Sequence, residues 1–398
     1  MPYDPALPLP EPTRAEGLRR LEDMLPRAGR AYAAGRNYDR GPGRHAPVSM
    51  LSPYLRHRLL TERDVVAAVL ERHTPQAAEK FLQEVLWRTY WKGWLEMRPE
   101  VWRRTRRAVA TLARDRAMMD RVETAAAGRT GIDCFDAWMT ELSQTGYLHN
   151  HARMWTASIW VFTLKLPWEL GADLFLRRLL DGDPASNTLS WRWVAGLHTP
   201  GKAYLARPDN IRRYTDGRFD PQGLADTGEP PAGDAGNPPP APLPEPPPID
   251  LSLPSALLLT EEDLLPEDLL PPDLDIRAAA AMPCAAARSP LPVAAGVRGF
   301  TQGALGNALD RLGFLGRYLP RDPAAVVAWA REHGARQVVT PYAPVGPARD
   351  VLDALEPALT AADIRLARPR RARDTDLWPL ATAGFFGFWK TARGRIGA

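Results

Sequence analysis

Ten of the thirteen tryptophans lie between Trp87 and Trp193. Core packing alone seldom needs so many indoles, because each buried ring N–H wants an acceptor. Such a cluster can also stack a planar cofactor, stack a base or relay electrons. One stretch combines them with charge: Glu84, Trp87, Arg88, Trp91 and Trp94. At helical spacing Glu84 and Arg88 share a face, as do the three indoles. An exposed intrahelical ion pair is the plainer reading of Glu84 and Arg88, and the company of three tryptophans argues against it. A second stretch covers residues 145–154. Asn150 and Arg153, three apart, meet on one helix face, whereas His149 and His151, two apart, diverge and form no zinc pair. A third carries Asp181, Asp183, Asn187, Trp191 and Trp193. Two carboxylates, an amide and two indoles suit a polar ring system flanked by π faces, although alone this run reads equally as a surface turn.

The elements that must hold these residues are helices. Apolar positions recur at helical spacing over 77–97, and Thr61 with Asp64 reads as a capped start. Further helices are predicted over 101–126, 134–144, 148–166 and 170–180, with 181–220 rich in loops. No period-2 strand is predicted before residue 225. Ten of the nineteen residues at 230–248 are proline, which predicts an extended, semi-rigid linker. Beyond it, short apolar runs such as 337–340 and 364–366 alternate with helical patterns at 300–315, 323–333 and 348–359, which predicts a small α/β unit. The expected division is an extended arm at 1–20, a helical unit at 21–225, an acidic proline-rich linker at 226–254 and an α/β unit at 255–398.

Charge is uneven. Residues 226–275 hold twelve acidic and no basic side chains, so the rest of the 398-residue chain carries 51 basic against 35 acidic residues. A body that basic attracts polyanions, nucleic acid first among them. Two cysteines are too few for a disulfide framework or a four-cysteine cluster. No apolar run reaches the length of a membrane span, and the N-terminus lacks the order of a secretory signal. These features predict a cytoplasmic chain with no membrane segment and no metal; a monomer is expected.

Taken together, residues 49–55, 84–88, 145–154 and 181–193 resemble, in order, the FAD-binding domain of the photolyase/cryptochrome family. The resemblance covers about half of the chain. It implies FAD as cofactor, held by Tyr38, Ser49, Leu51, Ser52, Arg88, Asn150, Arg153, Asp181, Asp183 and Asn187. Ser49, Leu51 and Ser52 would hold the phosphates, although Val48 and Met50 depart from the family pattern, with Arg44 or Arg56 as possible compensation. Arg153 and Asp181 would pair beside the isoalloxazine, Asp183 would meet its polar edge, and Asn187 would face N5. Trp191 and Trp168 match the first two members of an electron relay, with Trp102, Trp155 or Trp160 open as a third. Glu84, Trp87, Asn150, Met154 and Trp193 match the pocket of the branch that splits cyclobutane pyrimidine dimers. Trp87 and Trp193 would sandwich a flipped lesion from damaged single- or double-stranded DNA.

DNA grip would come from Arg103, Arg104, Arg106, Arg107, Lys92, Arg192 and Lys202. The α/β segment resembles, weakly, the Rossmann-like antenna domain that usually opens such chains. It could be a relocated antenna domain, a degenerate one or an interaction module, so a second chromophore is left open. The resulting expectation is a mainly α, light-driven, flavin-dependent DNA repair lyase. The alternative is a cryptochrome-like blue-light photoreceptor.

Overall fold

The computed structural model describes residues 9–45, 47–199 and 201–396; the first eight residues of the expected arm lie outside them, and its residues 14–20 are not extended but helical, because the Thr13 side chain accepts from Glu16 N–H and starts a helix. The chain is mainly α with a small parallel sheet. Twelve α-helices come first among the described residues: α1 (Arg14–Met24), α2 (Arg30–Gly35), α3 (Ser52–Arg56), α4 (Glu62–Arg72), α5 (Pro75–Glu96), α6 (Pro99–Leu112), α7 (Arg116–Ala126), α8 (Asp133–Thr145), α9 (Asn150–Ser158), α10 (Trp168–Arg178), α11 (Pro184–Val194) and α12 (Pro208–Tyr214).

Their ends follow local chemistry. Thr61 and Asp64 close a capping box on α4. Thr74 caps α5, and Pro75 fills its first turn, where the missing N–H costs nothing. The helix expected over 101–126 is two helices, because the Asp115 side chain accepts from Met118 N–H and restarts the chain as α7. The helix expected over 148–166 is α9 continued by a wider turn at Ile159–Thr163, with Leu164 N–H bonded to Ile159 C=O at 2.8 Å.

The sheet comprises β1 (Ser255–Leu259), β2 (Ile276–Ala281), β3 (Gln337–Val339) and β4 (Arg365–Ala367), all parallel in the order β2-β1-β3-β4. Helices α13 (Ala295–Arg311), α14 (Pro323–Glu332) and α15 (Pro347–Ala361) flank it, and α16 (Ala372–Leu377) and α17 (Phe385–Ala392) follow. The alanine-rich β2 was not expected from the sequence.

One apolar core runs through both parts. Leu51, Tyr54 and Leu86 belong to the same buried cluster as Leu257, Phe300 and Phe388. Segment 378–389 packs along α5 so closely that a Cβ on Gly93 would stand 2.7 Å from the Trp378 backbone. Residues 226–254 form no helix or strand, yet they are fastened to the helical part. Arg192 grips Asp234 through both guanidinium branches at 2.6 and 3.0 Å. Asn237 donates to His198 C=O at 2.9 Å, Arg98 donates to Pro238 C=O at 3.1 Å, and Ala241 N–H reaches Met97 C=O at 2.8 Å.

Candidate functional site

Helix α11 packs against α5, α9 and α10, which gathers the charged segments. Arg153 on α9 pairs with Asp181 at 2.8 Å and anchors its Nε on Leu148 C=O, also at 2.8 Å. Asp181 is buried; burial works against its charge, but Arg153 outweighs it and holds the carboxyl below its ordinary range. Two residues on, Asp183 caps α11 by accepting from Ser186 N–H at 2.8 Å. Its other oxygen lies among three cations: Arg88 at 3.6 Å, Lys92 at 3.7 Å and Arg56 at 3.9 Å. Burial again opposes ionisation, and Lys92, Arg88 and Arg56 together press the Asp183 pKa well down. Lys92, by contrast, is pulled below its ordinary value by burial, with Asp183 pulling the other way.

Several polar atoms here are buried without a hydrogen-bond partner in the protein: Arg88 Nη1, Lys92 Nζ, Asp181 Oδ1, Asp183 Oδ2 and Ser186 Oγ. Each such atom costs about 1–3 kcal/mol if nothing meets it. Donors and acceptors set side by side suit the carbonyls and ring N–H groups along the edge of a flavin, so the residues present fit FAD.

The remaining expected cofactor residues have surroundings of their own. Ser49 and Ser52 are half-buried, Leu51 is buried, and Met50 between them is held at a φ of 53°, a conformation side chains rarely adopt. Tyr38 is half-buried, edge-on to Tyr214 at 5.2 Å. Asn150 opens α9 and is exposed. Asn187 donates one amide N–H to Ala172 C=O at 2.7 Å and lines a cavity of about 10 Å³ with Trp102, Asp173 and Arg288. That volume holds one water. Arg44 stays exposed, whereas Arg56, the other expected phosphate partner, is committed to Glu262 at 2.7 and 2.8 Å.

The indoles are arranged as backed platforms. Trp87 is half-buried, with one face stacked on Phe385 at 3.8 Å and 11°. Trp193, also half-buried, stacks on Tyr204 at 5.6 Å and 29°. Met154 is half-buried. Glu84 forms an ion pair with Arg36, not with its helical neighbour Arg88, which turns to Asp183. Trp191 meets Trp160 at 6.1 Å, and both rings close on Gly171, where a Cβ would stand 2.3 Å from Trp191 and 2.9 Å from Trp160. Trp168 is buried beneath the Arg192 guanidinium, at 5.5 Å.

Much of the expected DNA grip is spoken for. Lys92 and Arg192 are buried, the first beside Asp183 and the second on Asp234. Arg106 donates to Arg288 C=O at 2.6 Å, and Arg103, Arg104 and Arg107 share Glu100. Lys202 remains exposed. Sequence reasoning missed Lys92 as a partner of Asp183, although its position four residues after Arg88 on one helix face was a signal. It missed Arg36 and Glu262 as well, which no local pattern marks.

Residues 81–224 match the family described as the FAD binding domain of DNA photolyase. The deoxyribodipyrimidine photo-lyase of Thermus thermophilus is 36% identical over 230 residues, covering 55% of this chain and 51% of that protein. The enzyme of the same name from Vibrio cholerae is 32% identical over 181 residues, covering 44% of this chain and 38% of its own length. The chain therefore spans about half the length, or less, of these curated relatives. Among solved structures, a bacterial class III photolyase from Agrobacterium tumefaciens is similar with a TM-score of 0.44 at 29% identity, covering 52% of this chain and 43% of that one.

Proposed function

Residues 81–224 belong to the FAD-binding-domain family of DNA photolyase, and on that premise we propose that this chain binds FAD and splits cyclobutane pyrimidine dimers in damaged DNA under light. Bound FAD, reduced and photoexcited, would supply the electron that opens the dimer and would take it back afterwards. The observation that carries the reading is the meeting of Arg153, Asp181 and Asp183 with Arg88 and Lys92, where buried donors and acceptors await a polar ring.

In this reading Ser49, Leu51 and Ser52 hold the phosphates, and Tyr38 lies beside them. Arg153 and Asp181 fix the ring plane, with Asp183 and Arg88 at its polar edge. Asn187, which gives one amide N–H to Ala172 C=O, would turn the rest of its amide to the ring, and Asn150 would serve both cofactor and lesion. Trp87 and Trp193 offer flat faces to a flipped lesion, each stiffened from behind by Phe385 or Tyr204. Met154 packs on the lesion. Glu84, held in place by Arg36, accepts a hydrogen bond from the pyrimidine edge. Trp191 and Trp168 would relay electrons toward a bound flavin, and Trp160, in contact with Trp191, would be the third member. The reading takes residues 21–225 as the flavin unit, 226–254 as a linker, 255–398 as an antenna-type unit whose chromophore is open, and the protein as a cytoplasmic monomer.

The test is to load the full chain with FAD, reduce it, and illuminate it with single-stranded and duplex DNA carrying cyclobutane dimers. Chromatography of the digested DNA should show intact pyrimidines appearing only in the light. Flavin that binds and bleaches normally while both substrates stay damaged would end the proposal.

A further inference from the structure

We propose that Glu262, from the α/β part of the chain, is a positioning residue of the flavin site, acting through Arg56. The inference rests on the FAD reading above and concerns residues that the family match, ending at residue 224, does not reach.

Arg56 ends α3, and its side chain is 1% exposed. Its Nε donates to Gly182 C=O at 2.9 Å, in the turn between Asp181 and Asp183. Its two Nη groups grip Glu262, just beyond β1, at 2.8 and 2.7 Å. A guanidinium has a rigid fork, and a bidentate carboxylate uses it fully. The same Nε stands 3.9 Å from Asp183 Oδ2, too far for a hydrogen bond. Three cations therefore surround one site carboxylate; Arg288 and Glu261 are also buried close by, and Glu262 is the carboxylate that Arg56 grips directly.

This arrangement has two effects. The Asp181-Gly182-Asp183 turn is tied from behind to a side chain that cannot rotate. Asp183 keeps one buried oxygen clear of hydrogen bonds within the protein, among the three cations. Without the Glu262 carboxylate, the Arg56 fork has Asp183 as its nearest buried counter-ion. It would swing toward Asp183, release Gly182 and occupy the oxygen meant for the flavin. A bond that merely glued the two parts of the chain together would have no such effect on the cofactor.

The test uses the full-length chain without flavin, titrated with FAD and followed by quenching of flavin fluorescence, with thermal melting recorded alongside. Glu262→Gln should weaken FAD binding at least tenfold. Glu262→Asp, which keeps the charge but shortens the reach, should fall between it and wild type. Glu267→Gln, which disturbs the ion pair with Arg311 in the same part of the chain, should stay within twofold of wild type. If Glu262→Gln does not fold, Glu262→Asp carries the test. FAD affinity within twofold of wild type in both Glu262 variants, whatever their melting temperatures, would overturn the proposal. Absence of FAD binding in wild type would instead overturn the functional reading beneath it.

Discussion

Phe385 and Phe386 are neighbours in sequence with opposite fates, and truncating each in turn weighs the contact that seals the tryptophan helix. Phe385 is 3% exposed; it stacks on Trp87 and meets Tyr90 edge-on at 5.7 Å, with Phe388 and Trp389 beside it. Phe386 is 71% exposed. A buried phenylalanine removes roughly 200 Å² from water, worth about 5 kcal/mol at 25 cal/mol per Å². The stacked geometry adds about 1 kcal/mol. Helix α17 is short and can settle partly into the hole, so Phe385→Ala should cost about 3–5 kcal/mol, the usual span for such a truncation. Phe386→Ala should stay within about 0.5 kcal/mol of wild type. Urea unfolding followed by tryptophan fluorescence measures both. Equal midpoints for the two variants would refute the packing of the C-terminal helix on α5 and, with it, the backed-platform account of Trp87.

Three further outcomes are expected. Burial pulls the His149 pKa down to about 4, so the folded chain keeps this ring neutral while the unfolded chain protonates it near 6.5. Stability should therefore fall as pH drops from about 6.5 to about 4, by roughly 3 kcal/mol for this residue; urea midpoints across that range, flattened in His149→Asn, check it, and a slope unchanged by the substitution would contradict it. Asp183→Asn leaves Arg56, Arg88 and Lys92 facing one another without their shared carboxylate, and should cost about 3–5 kcal/mol in chemical unfolding and abolish FAD retention on gel filtration. Trp191→Phe should slow photoreduction of bound FAD at least tenfold while leaving dimer splitting by chemically reduced protein intact; a flash-absorbance decay equal to that of wild type would remove Trp191 from the relay.

Local signals in the sequence account for most of the helical part. The Thr61 capping box, Pro75 and the period of α5 all act within a few residues of where they are read. What escaped depends on distance. The alanines of β2 favour helix in isolation and become a strand because β1 lies alongside them in parallel register. The break between α6 and α7 rests on one cap, Asp115, inside a run of good helix formers. At the site, the Arg153–Asp181 pair was expected from the resemblance, and the structure places the two in contact. The basic residues were harder, because a lysine or arginine reads as solvated until its counter-ion is known. Lys92 finds Asp183 and Arg192 finds Asp234, each from a separate segment. Phe385 lies some three hundred positions from Trp87, and no local pattern links them.

The fastening of residues 226–254 bears on what a cut in the chain would do. Proline-rich connectors are ordinary points of proteolytic nicking, yet a protease needs slack, and here the Arg192–Asp234 grip and the Ala241–Met97 bond must first be peeled away. Once cut, the two fragments would still share the interior to which Leu86 and Leu257 both contribute. The covalent join then matters mainly for raising the rate at which the halves find each other. Separately expressed pieces ending and starting within this strap should assemble into a two-fragment complex that migrates as one species.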